Sequence, residues 1–280
     1  MVSIIVCSRT LDISPQQRSN IATTVGCDHE IVVIDNSLGR YSIFAAYNEG
    51  VRRSQGDILC FVHDDVEFCS AGWGEAIASL FGDESIGLIG FGGAHFMPNS
   101  PLYWLGMPYI SEFNQNLDNG RLVDCYETTY FHGSLADVAV VDGMCFFVPR
   151  RLFSTIRFDE EYYSGFHAYD MDICMQVQQA GYRVCVNREV KIVHRWSEQA
   201  APTKRGMNLF EHNLELFCRK WQPMLPIVRG IELPERTIRN LNNLCALAYD
   251  ATLARRSASY QLGRTLLAPA RWLKRVVRKD

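Results

Sequence analysis

A chain of 280 residues, 48% hydrophobic and 21% charged, carries enough apolar material for one large globular core, which excludes a disordered or fibrous protein. A formal net charge of -3, with pI near 6.2, provides no global basic surface and argues against nucleic acid as a partner. The ten cysteines include no Cys-x-x-Cys pair, and Cys7, Cys60, Cys145 and Cys185 sit inside apolar runs, so they read as buried thiols in a reducing cytosol and not as a disulfide framework.

Met1 leads directly into Val2 to Cys7, an apolar, β-branched run expected of a strand covered on both faces. The run is too short for the apolar part of a signal peptide or for a membrane span, so a cytoplasmic location is expected. Ser14-Pro15 then opens a helix through about Val25, with Ser as N-cap and Pro at the first helical position. Glu30 to Ile34 reads as a second strand, Ala45 to Ser54 as a helix and Asp57 to Val62 as a third strand. This β-α-β-α-β alternation predicts an α/β fold with a parallel sheet and right-handed crossovers.

All three strands run out into polar clusters: Ser8-Arg9, Asp35-Asn36 and His63-Asp64-Asp65. Strand ends on one edge of a parallel sheet line one crevice. Carboxylates there suit Mg²⁺ or Mn²⁺ carrying a diphosphate; the alternative is a strand end followed by a polar turn. Asp35 suits a ribose hydroxyl or a base N–H, or else caps the next turn. Arg9 suits a phosphate, or is a solvated loop residue. No Gly-x-Gly-x-x-Gly follows the first strand, so the common dinucleotide fingerprint is missing.

Trp73 to Phe81 reads as a helix and Ile86 to Phe91 as a strand ending in Gly92-Gly93. From Ala94 to about Asp137 the periodicity fails, and the segment is rich in Pro, Asn, Gly and aromatics, among them Phe96, Tyr103, Trp104, Tyr109, Phe113, Tyr126, Tyr130 and Phe131. Such rings stack on sugars beside a polar cleft, or form a satellite cluster under a long loop. Val138 to Pro149 returns to strand character, broken at Asp142-Gly143, where glycine allows close approach of backbone to a ligand. A short helix is expected over Arg150 to Ile156, and a longer one from about Met171 to Ala180. Asp170 sits at the N-terminus of the longer helix, where its charged form is favoured. Asp172, two residues on, projects in another direction, so one carboxylate serves a cleft while the other caps or supports. Tyr182 to Val186 and Val190 to Val193 read as strands, the second ending in His194.

The order of these motifs resembles the family 2-like glycosyltransferases of GT-A fold. Its elements are strand-Ser-Arg, strand-Asp-Asn, Gly-Asp-Ile-Leu-Cys-Phe-Val-His-Asp-Asp-Val, Val-Asp-Gly before a basic pair, Tyr-Asp-Met-Asp-Ile before a helix ending in Ala-Gly-Tyr, and a strand ending in His. The resemblance covers about residues 1–200, read as a GT-A nucleotide-sugar-binding and catalytic domain, with 201–280 as a helical C-terminal extension. It implies a nucleoside-diphosphate sugar donor (a UDP-sugar is favoured), a divalent cation and inversion at the anomeric carbon. It places Ser8, Arg9, Asp35 and Asn36 around base and ribose. His63-Asp64-Asp65 stands where the family has Asp-x-Asp, so Asp65 would hold the metal while His63 and Asp64 face ribose or phosphates. Asp170 matches the second residue of the family's Glu-Asp pair, the catalytic base, and His194 matches a histidine that ligates the metal. His63 replaces the first acidic residue of Asp-x-Asp, and Tyr169 replaces the Glu of the Glu-Asp pair.

Residues 199–206, Gln-Ala-Ala-Pro-Thr-Lys-Arg-Gly, would form a loop that closes over donor. Asn208 to Trp221 reads as helix, followed by a break at Gln222 to Pro226 and further helix. Near the end, apolar residues at 266, 270, 273 and 277 and basic Arg271, Arg275 and Arg278 occupy different sides of a helix. Residues 264–280 then either lie on an anionic membrane, which suits a lipid-linked acceptor, or pack on the body. The expected activity is assembly of a polysaccharide or glycoconjugate on a glycan or lipid-linked hydroxyl acceptor. Two rival expectations are a non-catalytic nucleotide-sugar or glycan-binding protein on the same scaffold and a sugar nucleotidyltransferase. Ser8-Arg9-Thr10-Leu11-Asp12 lacks the Gly-rich phosphate loop of the latter.

Overall fold

The computed structural model describes residues 1–102, 109–111, 113–117, 121–125, 133–195 and 204–256. Its centre is a seven-stranded sheet of β1 (Val2–Ser8), β2 (His29–Asp35), β3 (Ile58–Val62), β4 (Ile86–Gly90), β5 (Leu135–Asp137), β6 (Cys145–Pro149) and β7 (Arg183–Asn187). The spatial order is β5-β7-β4-β6-β3-β1-β2. β1 runs parallel to β2 and β3, and β4 parallel to β7, so the sheet is mostly parallel. β6 inserts antiparallel between β3 and β4, and β5 is antiparallel to β7. The βαβ alternation therefore holds for the first three strands, and the later insertion of β6 interrupts it. β6 is buried on both faces, and a continuous apolar run of this kind does not encode strand direction.

Among the described residues, six α-helices accompany the sheet: α1 (Pro15–Thr24), α2 (Ile43–Arg53), α3 (Trp73–Leu80), α4 (Tyr169–Gln179), α5 (Lys204–Trp221) and α6 (Glu235–Arg256). Ser14 Oγ accepts from Gln17 N–H at 3.1 Å, the cap that Ser14-Pro15 promised. α2 starts at Ile43, earlier than periodicity alone suggests, because Ser42 Oγ caps it by accepting from Ala45 N–H at 3.2 Å. The alternation of the strands divides the core into two layers. Val2, Ile4 and Val6 of β1, with Cys60 and Val62 of β3, pack with Ile21, Trp73 and Ile77 of α1 and α3. Ile5, Leu59 and Phe61 face Phe44 and Tyr47 of α2, and the same cluster takes in Ile173 and Val177 of α4 and Leu214, Phe217 and Trp221 of α5. Phe61 is the hub of an aromatic group, with ring centres 5.0 Å from Tyr47, 5.2 Å from Phe146 and 5.0 Å from Phe158.

Asp172 ties α4 to α5. It is 1% exposed and accepts from Tyr163 Oη at 3.1 Å, Gln176 Nε2 at 2.6 Å and Trp221 Nε1 at 2.8 Å, with Lys220 Nζ 2.9 Å from Oδ1. Asp172→Ala strands several of these donors and the partly buried Lys220 charge, at a cost of about 3 kcal/mol. A clear drop in the urea unfolding midpoint is expected; an unchanged midpoint would show that this carboxylate does not secure α5.

The segment from Ala94 to Asp137 holds more regular structure than its composition suggests. Phe96–Met97, Tyr109–Ser111, Phe113–Leu117 and Arg121–Cys125 are short strands. Phe113–Leu117 and Arg121–Cys125 form a hairpin, but Phe96–Met97 pairs with Ile227–Val228 and Phe113–Leu117 with Ile192–His194, partners that local periodicity cannot reveal. Phe96 is buried; the side chains of the other aromatics named in this segment lie outside the described residues. Residues 199–203 of the expected closing loop also lie outside them, whereas Lys204 to Gly206 already belong to α5. The basic stretch 264–280 is likewise outside the described residues. Among the described residues, no helix is long and apolar enough to cross a membrane.

Candidate active site

Parallel pairing sets Val6 of β1 opposite Val62 of β3, and Ser8 opposite Asp35 of β2. The three polar strand ends thus emerge side by side at the carboxyl edge of the sheet, where open α/β sheets bind ligands. His63 N–H donates to Met144 O at 2.9 Å. Gln17, buried on α1, donates from Nε2 to His63 O at 2.8 Å and to Val66 O at 3.2 Å, clamping the turn that carries Asp64 and Asp65.

The chain then forms the short strand Val66–Phe68, which pairs antiparallel with Ile192–His194 and sets His194 opposite Val66. Arg195 N–H donates to Asp65 O at 2.8 Å and closes the ladder. Two sequence-distant segments are thereby locked in register. His194 Nε2 lies 3.2 Å from Asp65 Oδ1. One ligand atom each from His63, Asp65 and His194 falls within 4.8 Å of the others, a group able to hold a metal ion. Asp65 Oδ1 is buried with no well-aligned hydrogen-bond donor, and His194 Nε2 at 3.2 Å is the group that faces it. A carboxylate oxygen left without a well-aligned donor beside two imidazoles fits a cation.

The electrostatics agree with this arrangement. Burial works against the Asp65 carboxylate, but His194, His63 and Arg9 outweigh it and hold its pKa below the usual value. Burial also works against a charged His194, yet the facing Asp65 raises its pKa. Burial first, then the neighbouring His194, push the His63 pKa down to about 4, so this imidazole is neutral near pH 7.

His63 Nε2 lies 2.7 Å from Tyr169 Oη, and Tyr169 Oη donates to Gly143 O at 3.0 Å. Gly143 also supplies its N–H to Asp170 Oδ2 at 3.1 Å, while Met171 N–H donates to Asp170 Oδ1 at 2.9 Å. Asp170 is 3% exposed at the start of α4, which is entered through Ala168 in the left-handed region at φ 73°. The glycine of the Asp142-Gly143 break in the strand makes room for a neighbouring side chain. A Cβ on residue 143 would lie 2.2 Å from Tyr169 Oη, so the glycine makes room for that hydroxyl. Gly143→Ala is expected to displace the Tyr169 ring and break its bond to His63, with about 1–3 kcal/mol lost from stability. Thermal unfolding and the His63 imidazole NMR shifts would measure this, and wild-type values for both would show that the site tolerates the methyl group.

The remaining predicted residues shape the strand ends. Arg9 grips Asp64: its backbone N–H donates to Oδ2 at 3.0 Å, Nε lies 3.0 Å from both oxygens and Nη2 donates to Oδ1 at 2.6 Å. Arg9 Nη2 also reaches Asp65 Oδ2 at 3.4 Å. Asp35 is exposed and accepts from Ser37 N–H at 2.9 Å, closing its own turn. Asn36 donates to Tyr41 O at 3.0 Å and accepts from Tyr41 N–H at 2.9 Å. Ser8, fully buried, accepts from Thr10 N–H at 3.2 Å and donates to Asp12 O at 3.3 Å. A cleft of about 480 Å³ opens beside Asp64 and Asp65 and is lined also by Gln16 and Asn20 of α1 and by Glu67 and Arg195. Sequence reasoning missed Gln17, and it named Gly143 and Tyr169 without foreseeing their contact with each other. A glutamine inside the first helix carries no motif signal, and Tyr169 was visible only as a departure from Glu.

The sequence matches the Glycosyltransferase like family over residues 3–221. The Streptomycin biosynthesis protein StrF of Streptomyces griseus is 27% identical over 228 residues, which cover 79% of this chain and 73% of that protein. The uncharacterized protein y4gI of Sinorhizobium fredii is 22% identical over 204 residues, which cover 70% of this chain and only 22% of that longer protein. Among solved structures, GalNAc-T7 with UDP, GalNAc and Mn²⁺ superposes with a TM-score of 0.53 at 11% identity, over 87% of this chain and 54% of its own. Staphylococcus aureus TarS superposes with a TM-score of 0.51 at 12% identity, over 89% of this chain and 44% of its own. At such low identity these likenesses speak for the fold alone. The family match runs from β1 to the last residue of α5 and so takes in every strand end just described: the chain belongs to the glycosyltransferase-like family and is built on the GT-A fold.

Proposed function

We propose that the protein is a metal-dependent, inverting glycosyltransferase that moves a sugar from a nucleoside-diphosphate sugar to an acceptor hydroxyl. The observation that carries this reading is the juxtaposition at one sheet edge of a His63–Asp65–His194 donor set and the buried carboxylate Asp170, joined through Tyr169 and Gly143. Support for a UDP-sugar comes from the fold neighbours: GalNAc-T7 was crystallised with UDP, GalNAc and Mn²⁺, and TarS 1-349, at a TM-score of 0.50 and 13% identity, with UDP.

A divalent cation held by Asp65 and His194 would offset the negative charge that a departing diphosphate develops. Asp170 takes the proton of the acceptor hydroxyl in this scheme. Gly143 N–H and Met171 N–H each donate to one of its oxygens, which fixes the carboxylate at the start of α4 in its proton-accepting form. Arg9 is oriented by Asp64 and keeps N–H groups outside that pair for a phosphate oxygen. Asp35 and Asn36, with Ser8 shaping the neighbouring loop, would frame base and ribose. The acceptor is a glycan or lipid-linked hydroxyl in polysaccharide or glycoconjugate assembly, with the residues beyond 200 as a helical extension toward it.

Calorimetric titration of UDP, GDP and their sugars, with and without Mn²⁺, tests the reading. Tight binding of one nucleotide that requires Mn²⁺ supports it. A folded sample that binds none of them would turn the assignment to a glycan-binding protein on the same scaffold.

A further inference from the structure

We infer that the metal centre of this chain is a two-imidazole, one-carboxylate site in which His63 is itself a ligand through Nδ1, and that it favours a first-row transition ion over Mg²⁺. The inference rests on the proposed function only in that a cation binds at this edge together with a nucleoside diphosphate.

Four observations lead to it. Asp64 is withdrawn from the ligand set, because Arg9 occupies both of its oxygens. The acidic stretch at the end of β3 thus contributes one carboxylate, Asp65, whose Oδ1 has no well-aligned donor. His63 is held in one tautomer. Tyr169 has a single hydroxyl proton and gives it to Gly143 O, so the 2.7 Å contact with His63 is Nε2–H donating to the phenol oxygen. A neutral imidazole protonated at Nε2 carries its lone pair on Nδ1, ready for a metal, and outer hydrogen bonds of this kind orient histidine ligands. Gly143 preserves the arrangement, since a methyl group there would collide with Tyr169 Oη. Finally, the His63 and His194 rings are 5.5 Å apart, so two nitrogen donors converge on one carboxylate.

Imidazole nitrogens suit Mn²⁺, Co²⁺ or Zn²⁺ far better than Mg²⁺, which wants oxygen ligands and keeps its waters. With one carboxylate, the bound divalent ion retains a positive charge, which the diphosphate then meets.

Pulsed EPR of Mn²⁺ bound with UDP tests the ligand set directly, on the wild-type chain and without turnover. Nitrogen couplings from two imidazoles are expected, with one remaining in His63→Asp. Titrations of Co²⁺ and Mg²⁺ in the presence of UDP should show the Co²⁺-to-Mg²⁺ affinity ratio falling at least about tenfold in His63→Asp. Tyr169→Phe should lower Co²⁺ affinity by about tenfold, the effect of losing an outer hydrogen bond. A single nitrogen coupling in the wild-type, or an unchanged ratio in folded His63→Asp, overturns the inference and leaves the glycosyltransferase reading standing. Absence of any Mn²⁺ binding with UDP overturns both.

Discussion

Asp170→Asn is expected to lower sugar transfer by about 10²- to 10⁴-fold while UDP binding stays within a few-fold of wild-type. The amide cannot take the acceptor proton. It also has only one acceptor oxygen where the carboxylate has two, so either Gly143 N–H or Met171 N–H loses its partner, at a local cost of about 1–3 kcal/mol. The two effects separate in the readout. A structural loss appears as a lowered unfolding midpoint and weaker UDP binding, whereas loss of the base lowers the maximal rate with both of those intact. Asp172 cannot stand in, because its oxygens are committed to Lys220, Trp221, Tyr163 and Gln176. Transfer by Asp170→Asn within tenfold of wild-type would move the base elsewhere.

Asp65→Ala should abolish the Mn²⁺-dependent part of UDP binding and lower Mn²⁺ affinity by about 100-fold or more, since losing a ligand exceeds the 10- to 100-fold cost of losing an outer partner. The loop around the residue should survive. Arg9 keeps its bonds to Asp64, and Gln17 keeps its bonds to the carbonyls of His63 and Val66. The ladder between Val66–Phe68 and Ile192–His194 is made by backbone and needs no Asp65 side chain. The measurement is calorimetry of UDP at matched protein concentration, with Mn²⁺ and with chelator. Unchanged Mn²⁺-dependent affinity in the variant would remove Asp65 from the metal site.

Local chemistry in the sequence was enough for much of the scaffold. The β-branched run of β1, the Ser14-Pro15 start of α1 and the apolar stretch of β3 each follow from periodicity and capping within a few residues. The polar residues at the ends of β1, β2 and β3 pointed to one edge, because parallel strands linked by helices end on the same side. Asp170 and Asp172 could be separated by helical geometry alone, and the structure sends them to Gly143 and to α5.

What only the tertiary structure decided are the partners. A continuous apolar run buried on both faces encodes neither strand direction nor neighbour, so β6 read as a strand without revealing that it runs antiparallel between β3 and β4. His194 meets Asp65 only because two short strands, far apart in the chain, pair in one register. Arg9 could have been a solvated loop residue or a phosphate ligand; the fold clamps it on Asp64 and so takes that carboxylate out of the metal set. Tyr169 looked like a lost glutamate until packing set its hydroxyl between Gly143 O and His63 Nε2. Such contacts join residues whose separation along the chain is bridged by the packed sheet, and no local propensity encodes them.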